Sequence, residues 1–244
     1  SISYWTVIGS DGKLVHTCTG NVFGGCQGDV DTISPHWVSM ARSRTAKVVI
    51  NGGTIKSEVF GGAEQGTIAG NTSVTVNGGT IIGGVFGGPE QGTMDGNATI
   101  TINDGNIGSV VTDSNNKDYN FGGVYGAGYG SDDIEEDNLN VTVYGTTLKA
   151  KERAGRVYGN TLVNVLGGLI KGDVFGGASF AYVGGEGENP NGNVQVNIGK
   201  KDEAGQPIVG NATFLGSVFG ANNHSGTPFG NVNVDVYHTA HTAA

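Results

Sequence analysis

Short runs in which apolar and polar residues alternate recur along the chain. Examples are Ala98-Thr99-Ile100-Thr101-Ile102, Thr161-Leu162-Val163-Asn164-Val165 and Val232-Asn233-Val234-Asp235-Val236. A period of two predicts strands with one buried face. On that parity Val74, Val76, Ile100, Ile102, Val141, Val143, Val163, Val165, Val194, Val196, Val232 and Val234 face inward, while Ser73, Thr75, Thr99, Thr101, Asn140, Thr142, Asn164, Gln195, Asn197, Asn233 and Asp235 face out. A glycine pair follows several of these runs and permits a sharp turn. A second strand is expected after it, over residues 55–59, 81–85 and 170–174, with Ile and Val again inward.

Beside this alternation runs a tripeptide. Val-Phe-Gly begins at Val22, Val59, Val85, Val174 and Val218, and Val-Tyr-Gly at Val124 and Val157. Such recurrence marks a repeat protein, whose units are too small to bury an apolar face alone and must stack. From Phe60 to Phe86 is 26 residues, but from Tyr158 to Phe175 only 17, so the sequence reads as a minimal 17-residue coil with Gly62 to Gly70 as an added loop. Strands recurring in one chain direction predict parallel pairing, with coils about 4.8 Å apart and a rod of roughly 34 Å for seven coils. The expected fold is all-β: a right-handed parallel β-helix (β-solenoid) of about seven coils with loop insertions, the hand following the crossover preference. A β-sandwich of Gly-rich strands is the alternative. Phe60, Phe86, Tyr125, Tyr158, Phe175 and Phe219 are expected to stack in a packing ladder, and Asn51, Asn77 and Asn103 to form an amide row serving the turns.

The motif runs through the chain without a change of composition, so residues 1–244 read as one domain. Within it, 1–46 form an N-terminal cap and first coil, 47–237 the stacked coils and 238–244 a tail. Ser34 to Arg42 carries an N-cap residue with proline after it and predicts a short helix over the first coil. The last strand ends abruptly, which suggests a fragment of a longer protein.

Charge removes some partners. Thirteen Lys and Arg against 22 Asp and Glu give a net charge of −9, which repels a phosphate backbone and argues against nucleic acid. No apolar run is long enough to enter a membrane, and no leader is recognisable at Ser1. Cys18 and Cys26 flank the first tripeptide and are a disulfide candidate; two packed thiols are the other reading.

Catalytic signatures are sparse. Glu64 and Glu90 share a repeat position, at a separation a retaining glycosidase could use, yet identical units give no reason for their pKa values to split. Asp132, Asp133, Glu135, Glu136 and Asp137 offer oxygen ligands without the spacing of a calcium loop and read as a solvated loop. His224, His238 and His241 lack metal-ligand spacing and read as surface residues. Neither a Gly-x-Ser-x-Gly elbow nor a phosphate loop is present, and no cofactor is expected. The Asn-x-Ser/Thr triplets at Asn71, Asn97, Asn140 and Asn211 follow the repeat pattern.

Asn-Gly-Gly-Thr-Ile followed by Val-Phe-Gly-Gly, at residues 51–62 and 77–88, resembles the Gly-rich repeats of adhesin-like surface proteins of gut Bacteroidetes. The resemblance implies a secreted or outer-membrane-attached β-solenoid serving as scaffold or adhesive surface, with no catalytic residues. The function expected is a non-enzymatic surface module presenting loops on a rigid rod to host or microbial glycans, matrix or cells. Trp37, Tyr119, Tyr129 and Tyr182, on the insertions, are the candidate sugar-stacking residues. A polysaccharide lyase or glycoside hydrolase on the same fold is the alternative.

Overall fold

The structure, a computed structural model, describes residues 4–8, 14–18, 20–28, 41–130, 141–143, 146–148, 153–185, 191–208 and 210–239. It is all-β, and parallel sheets stack along it in the manner of a β-solenoid. The predicted alternating runs form one long sheet of six strands: Ala46–Ile50, Thr72–Val76, Ala98–Ile102, Thr161–Val165, Val194–Ile198 and Val232–Val236. Each pairs in parallel and in register with the next, so that Val48, Val74, Ile100, Val163, Val196 and Val234 form one column.

Three further sheets complete each circuit. A turn leads from the long sheet to Thr54–Ile55, Thr80–Ile81, Asn106–Ile107, Leu169–Ile170 and Thr213–Phe214. Next comes the aromatic sheet, Val22–Phe23, Val59–Phe60, Gly84–Phe86, Gly123–Tyr125, Asp173–Phe175 and Val218–Phe219. A fourth sheet holds Arg42–Ser43, Thr67–Ile68, Thr93–Met94 and Arg156–Val157, and single bridges carry it on through Val183 to Pro228. The β-sandwich alternative falls, because the stacked sheets are parallel throughout.

Several expectations need correction. The single second strand over 55–59 and 81–85 is two short strands on different faces, because the chain bends at Ser57 and Gly83. Gly62 to Gly70 is not a loop, since Thr67–Ile68 builds the fourth sheet. Tyr158 is not an aromatic rung: Val157 pairs with Met94, and the missing rung is Phe23, which pairs with Phe60. The 17-residue coil therefore dissolves, and 26 residues is the unit without insertions, as the pairing of Thr72 with Ala46 and with Ala98 shows. Val141 and Val143 belong to an antiparallel hairpin with Thr146–Leu148 and not to the long sheet. Val232 and Val234 keep the inward parity but are each 42 % exposed, because no described strand lies beyond theirs. Of the predicted helix, residues 34–40 lie outside the described residues, and Arg42 opens a strand.

The core lines the inner faces of the sheets. Val74, Ile81, Val85, Ile100, Ile107 and Val124 are among its sealed residues, and a second cluster of Ile68, Met94, Val157 and Val183 with small alanines fills the side near the fourth sheet. Burying one such Val or Ile is worth about 1.5–3 kcal/mol. The narrow interior also takes two polar ties: the Thr72 hydroxyl donates to the Gly87 carbonyl at 2.6 Å, and Thr161 to that of Gly176 at 2.7 Å.

Asparagine works in two rows. Asn51, Asn77 and Asn103 bond side chain to side chain, at 2.8 and 2.7 Å, on the exposed corner after the long sheet. Turn amides are served instead by Asn71, Asn97, Asn160 and Asn193, each accepting the backbone N–H of the next rung at 2.8–2.9 Å. Asn71 and Asn97 thus carry out a repeat task within their Asn-x-Ser/Thr triplets.

Insertions leave the stack at different corners. Ser109–Thr112 pairs with Asp118–Phe121 between the second and aromatic sheets, Val141–Val143 with Thr146–Leu148 between the aromatic and fourth, and Lys200–Lys201 with Pro207–Ile208 just after the long sheet. They therefore do not make the continuous loop face that a common corner would give. Tyr4–Ile8 and Leu14–Cys18 form a further hairpin near the N-terminus, where a strand or cap was expected.

Candidate functional site: an aromatic and carboxyl flank

Neighbours on a strand point to opposite faces, so with Val59, Val85 and Val124 in the core the rings of Phe60, Phe86 and Tyr125 lie on the outer side of the aromatic sheet. Six rings stack there, Phe23, Phe60, Phe86, Tyr125, Phe175 and Phe219, with centroids 4.4–5.2 Å apart and planes within 17°. Each contact adds about 0.5–1.5 kcal/mol beyond area burial. The central rings are sealed and the terminal Phe219 is 46 % exposed, so the ladder is packing, as expected, and not a sugar shelf. A Cβ on Gly84 would sit 3.0 Å from the Phe86 ring, so a larger side chain there needs the ring to shift by a few tenths of an ångström.

A second row runs alongside, on the turn that leaves the aromatic sheet. Backbone hydrogen bonds from Glu90 N–H to Ala63, Gly130 to Glu90, Phe180 to Tyr129 and His224 to Ser179 place Glu64, Glu90, Tyr129, Phe180 and His224 on successive rungs. Glu64, Glu90, Tyr129 and Phe180 are partly exposed and His224 is exposed. Tyr129 meets Phe86 edge-on at 5.7 Å and Phe180 at 5.5 Å, and Phe180 stacks on the His224 imidazole at 4.6 Å and 11°. A half-open aromatic strip thus lies over the sealed ladder and continues into two glutamates.

A third carboxyl joins them from the sheet. Glu58 stands two residues before Phe60, where the next rungs have Gly84 and Gly123. Burial, then the nearby Glu90, pushes its pKa from 4.5 to about 8. Burial, then Glu64, pushes Glu90 from 4.5 to about 7. The Tyr125 hydroxyl is also raised, by burial first and then by Glu58, Asp173 and Tyr129, while the Asn223 side chain bonds it. At neutral pH Glu58 is therefore largely protonated and Glu90 stands near the midpoint of its titration, beside rings that stack.

The predicted residues fare unequally. Tyr129 is in the strip, and Glu64 and Glu90 do sit on adjacent rungs. Their surroundings differ, contrary to the argument from identical units: Glu64 bonds back to the Cys26 rung, and Glu90 lies next to that of Tyr129. His224 is exposed, as expected of a surface residue, and stacks on the Phe180 ring. Tyr119 stands ten residues before Tyr129 but in its own hairpin, 41 % exposed, with Lys117 over its ring at 4.9 Å. Tyr182 packs with Phe229 at 6.0 Å and against the Arg156 guanidinium at 5.3 Å, a clamp that also holds Tyr158. Trp37 and the acidic stretch from Asp132 to Asp137 lie outside the described residues. Cys26 is a free thiol, packed against the second core cluster, and the Cys18 side chain lies outside the described residues. Among the described residues no three Asp, Glu, His or Cys come together to hold a metal.

Glu58, Phe180 and Asn223 were missed. The available signal for Glu58 was its place two residues before the ladder aromatic, a register position that also holds Gly84, Gly123 and Asp173. Phe180 and Asn223 carried no local signal, because their rung is fixed by long-range pairing. Compared with protein-family models, curated proteins and solved structures, the chain finds no match in any of the three.

Proposed function

We propose that this chain is a non-enzymatic surface module, part of an adhesin-like protein on the outer surface of a bacterium, that binds glycans along the flank of a rigid β-solenoid. The observation that carries the reading is the strip Glu90, Tyr129, Phe180 and His224, half exposed at the first three and exposed at the last, and fixed rung by rung beside a sealed aromatic ladder. Aromatic faces stack on sugar rings, carboxyls exchange hydrogen bonds with hydroxyls, and a stiff backbone loses little entropy on binding. Right-handed winding, favoured by the crossover preference, and a coil number near the seven expected, supported by two six-stranded sheets, complete the picture. The single stacked domain then acts as a spacer, with further domains of the same chain and matrix or neighbouring cells as partners.

A polysaccharide-active enzyme is the second reading, and Glu58 and Glu90 favour it, since carboxyls protonated near neutrality suit general acid catalysis. One experiment tests both. The protein is incubated with a panel of host and microbial glycans and uronates, and retention and new reducing or unsaturated ends are both recorded. Retention without product supports the module, product supports the enzyme, and the absence of both retention and product would remove the binding reading.

A further inference from the structure

The two ends of the stack differ. Its first described long strand, Ala46–Ile50, has no described strand before it, yet Ala46, Val48 and Ile50 are at most 9 % exposed. Its last, Val232–Val236, leaves Val232, Val234 and Val236 of the same inward parity 42–63 % exposed. Leu215, Phe219 and Phe229 on that rung are 43–53 % exposed, so open apolar side chains gather at this one end. The outer edges of Val232–Val236 and Val218–Phe219 also carry backbone N–H and C=O groups that no described strand receives. The chain does not fold back over them, since the Tyr237 and His238 N–H groups turn to the Ile198 carbonyl.

The residues on this edge fit a second copy of the same edge. A two-fold axis through Val234, perpendicular to the long sheet, lays one copy on the other with the strands antiparallel and the inward faces on the same side. Val234 then lies opposite Val234, and Val232 opposite Val236, so that the two cores join. On the outer face the same operation sets Asn233 of each copy against Asp235 of the other and never carboxylate against carboxylate. Asp235 can take that amide, because Oδ2 alone accepts from Gln195, at 2.9 Å. The sealed first rung offers no equivalent apolar edge, so association closes at two. We propose that the chain pairs end to end with a second copy through its last rung. The pair presents the aromatic and carboxyl flank twice, whatever ligand that flank takes.

The test is sedimentation equilibrium of the whole chain over roughly 1–100 µM, where the mass should rise from one copy to two and stop. Asn233→Asp sets two carboxylate pairs across the seam and should weaken pairing about tenfold. Adding Asp235→Asn to it exchanges the two side chains, restores the match and should restore the affinity. Both positions face solvent in the single copy, so the far-UV spectrum and urea midpoint of each variant at low concentration should stay near those of the wild type. A chain that remains a single copy throughout, or a mass that grows past two copies, would overturn the proposal. So would a pair indifferent to Asn233→Asp, or a double variant no tighter than the single one.

Discussion

Replacing Glu58 by glutamine should make the fold less sensitive to alkali, by an amount the structure bounds. In the unfolded chain the Glu58 carboxyl ionises near 4.5, and in the folded one near 8. Between those values the folded protein holds a proton that the unfolded chain has lost, so folding stability falls as pH rises. The contribution is intact below pH 4.5, shrinks through the interval and is gone above about 8. A span of 3.5 pH units at 1.36 kcal/mol each sets a ceiling of about 5 kcal/mol, and repulsion relieved at Glu90 belongs to the same sum. Glutamine keeps the shape and cannot ionise. Urea midpoints, followed by far-UV circular dichroism at pH 4, 7 and 9, should therefore coincide for the two proteins at pH 4. They should diverge at pH 7 and differ most at pH 9, with Glu58→Gln the more stable. Differencing removes the ordinary titration of other carboxylates. A gap that is the same at pH 4 and pH 9, or one that favours the wild type at pH 9, would refute the reasoning.

Other perturbations probe the stack. Phe86→Ala removes a sealed ring that stacks on Phe60 at 4.8 Å and Tyr125 at 4.4 Å and should cost about 3–5 kcal/mol in thermal or urea unfolding. Two glycine variants separate strain from clash: Gly53→Ala, with φ +84° and nothing within 4 Å of the new Cβ, should cost only about 1 kcal/mol, whereas Gly87→Ala meets the Gly126 carbonyl in the next rung and should prevent a native midpoint from being measured. Asn97→Ala leaves the Asn160 N–H without its acceptor and should cost about 1 kcal/mol, whereas Asn103→Ala, at the end of an exposed amide row, should fall below about 0.5 kcal/mol by the same assay.

Much of the fold could be read from residue order because its signals are local. Alternation in Thr72–Val76 or Val194–Ile198 assigns each side chain to a face without knowledge of any partner, and the buried columns of Val and Ile match that assignment. The aromatic before each corner glycine likewise announced a ladder. What a strand pairs with is a separate question, answered by register over tens of residues. Val157-Tyr158-Gly159 has the tripeptide, yet it pairs with Met94, because the residues inserted after Tyr125 bring it round at the fourth sheet. Thr67–Ile68 looked like loop because two residues are too few to show a period, and only Arg42–Ser43 and Thr93–Met94 on either side make them a strand.

The candidate site belongs mostly to the second category. Glu90 and Tyr129 could be picked out one by one, but their placement against Glu58 and Phe180 could not. Glu58 and Glu90 are 32 residues apart in the chain, and they interact only because one sheet and one turn run side by side up the stack. By itself the sequence determined that apolar side chains pile in columns, since alternation and glycine spacing act within a few bonds. Tertiary structure decided which rungs are neighbours, and with that which carboxyls share a dry environment, because desolvation and charge act through space and not along the chain.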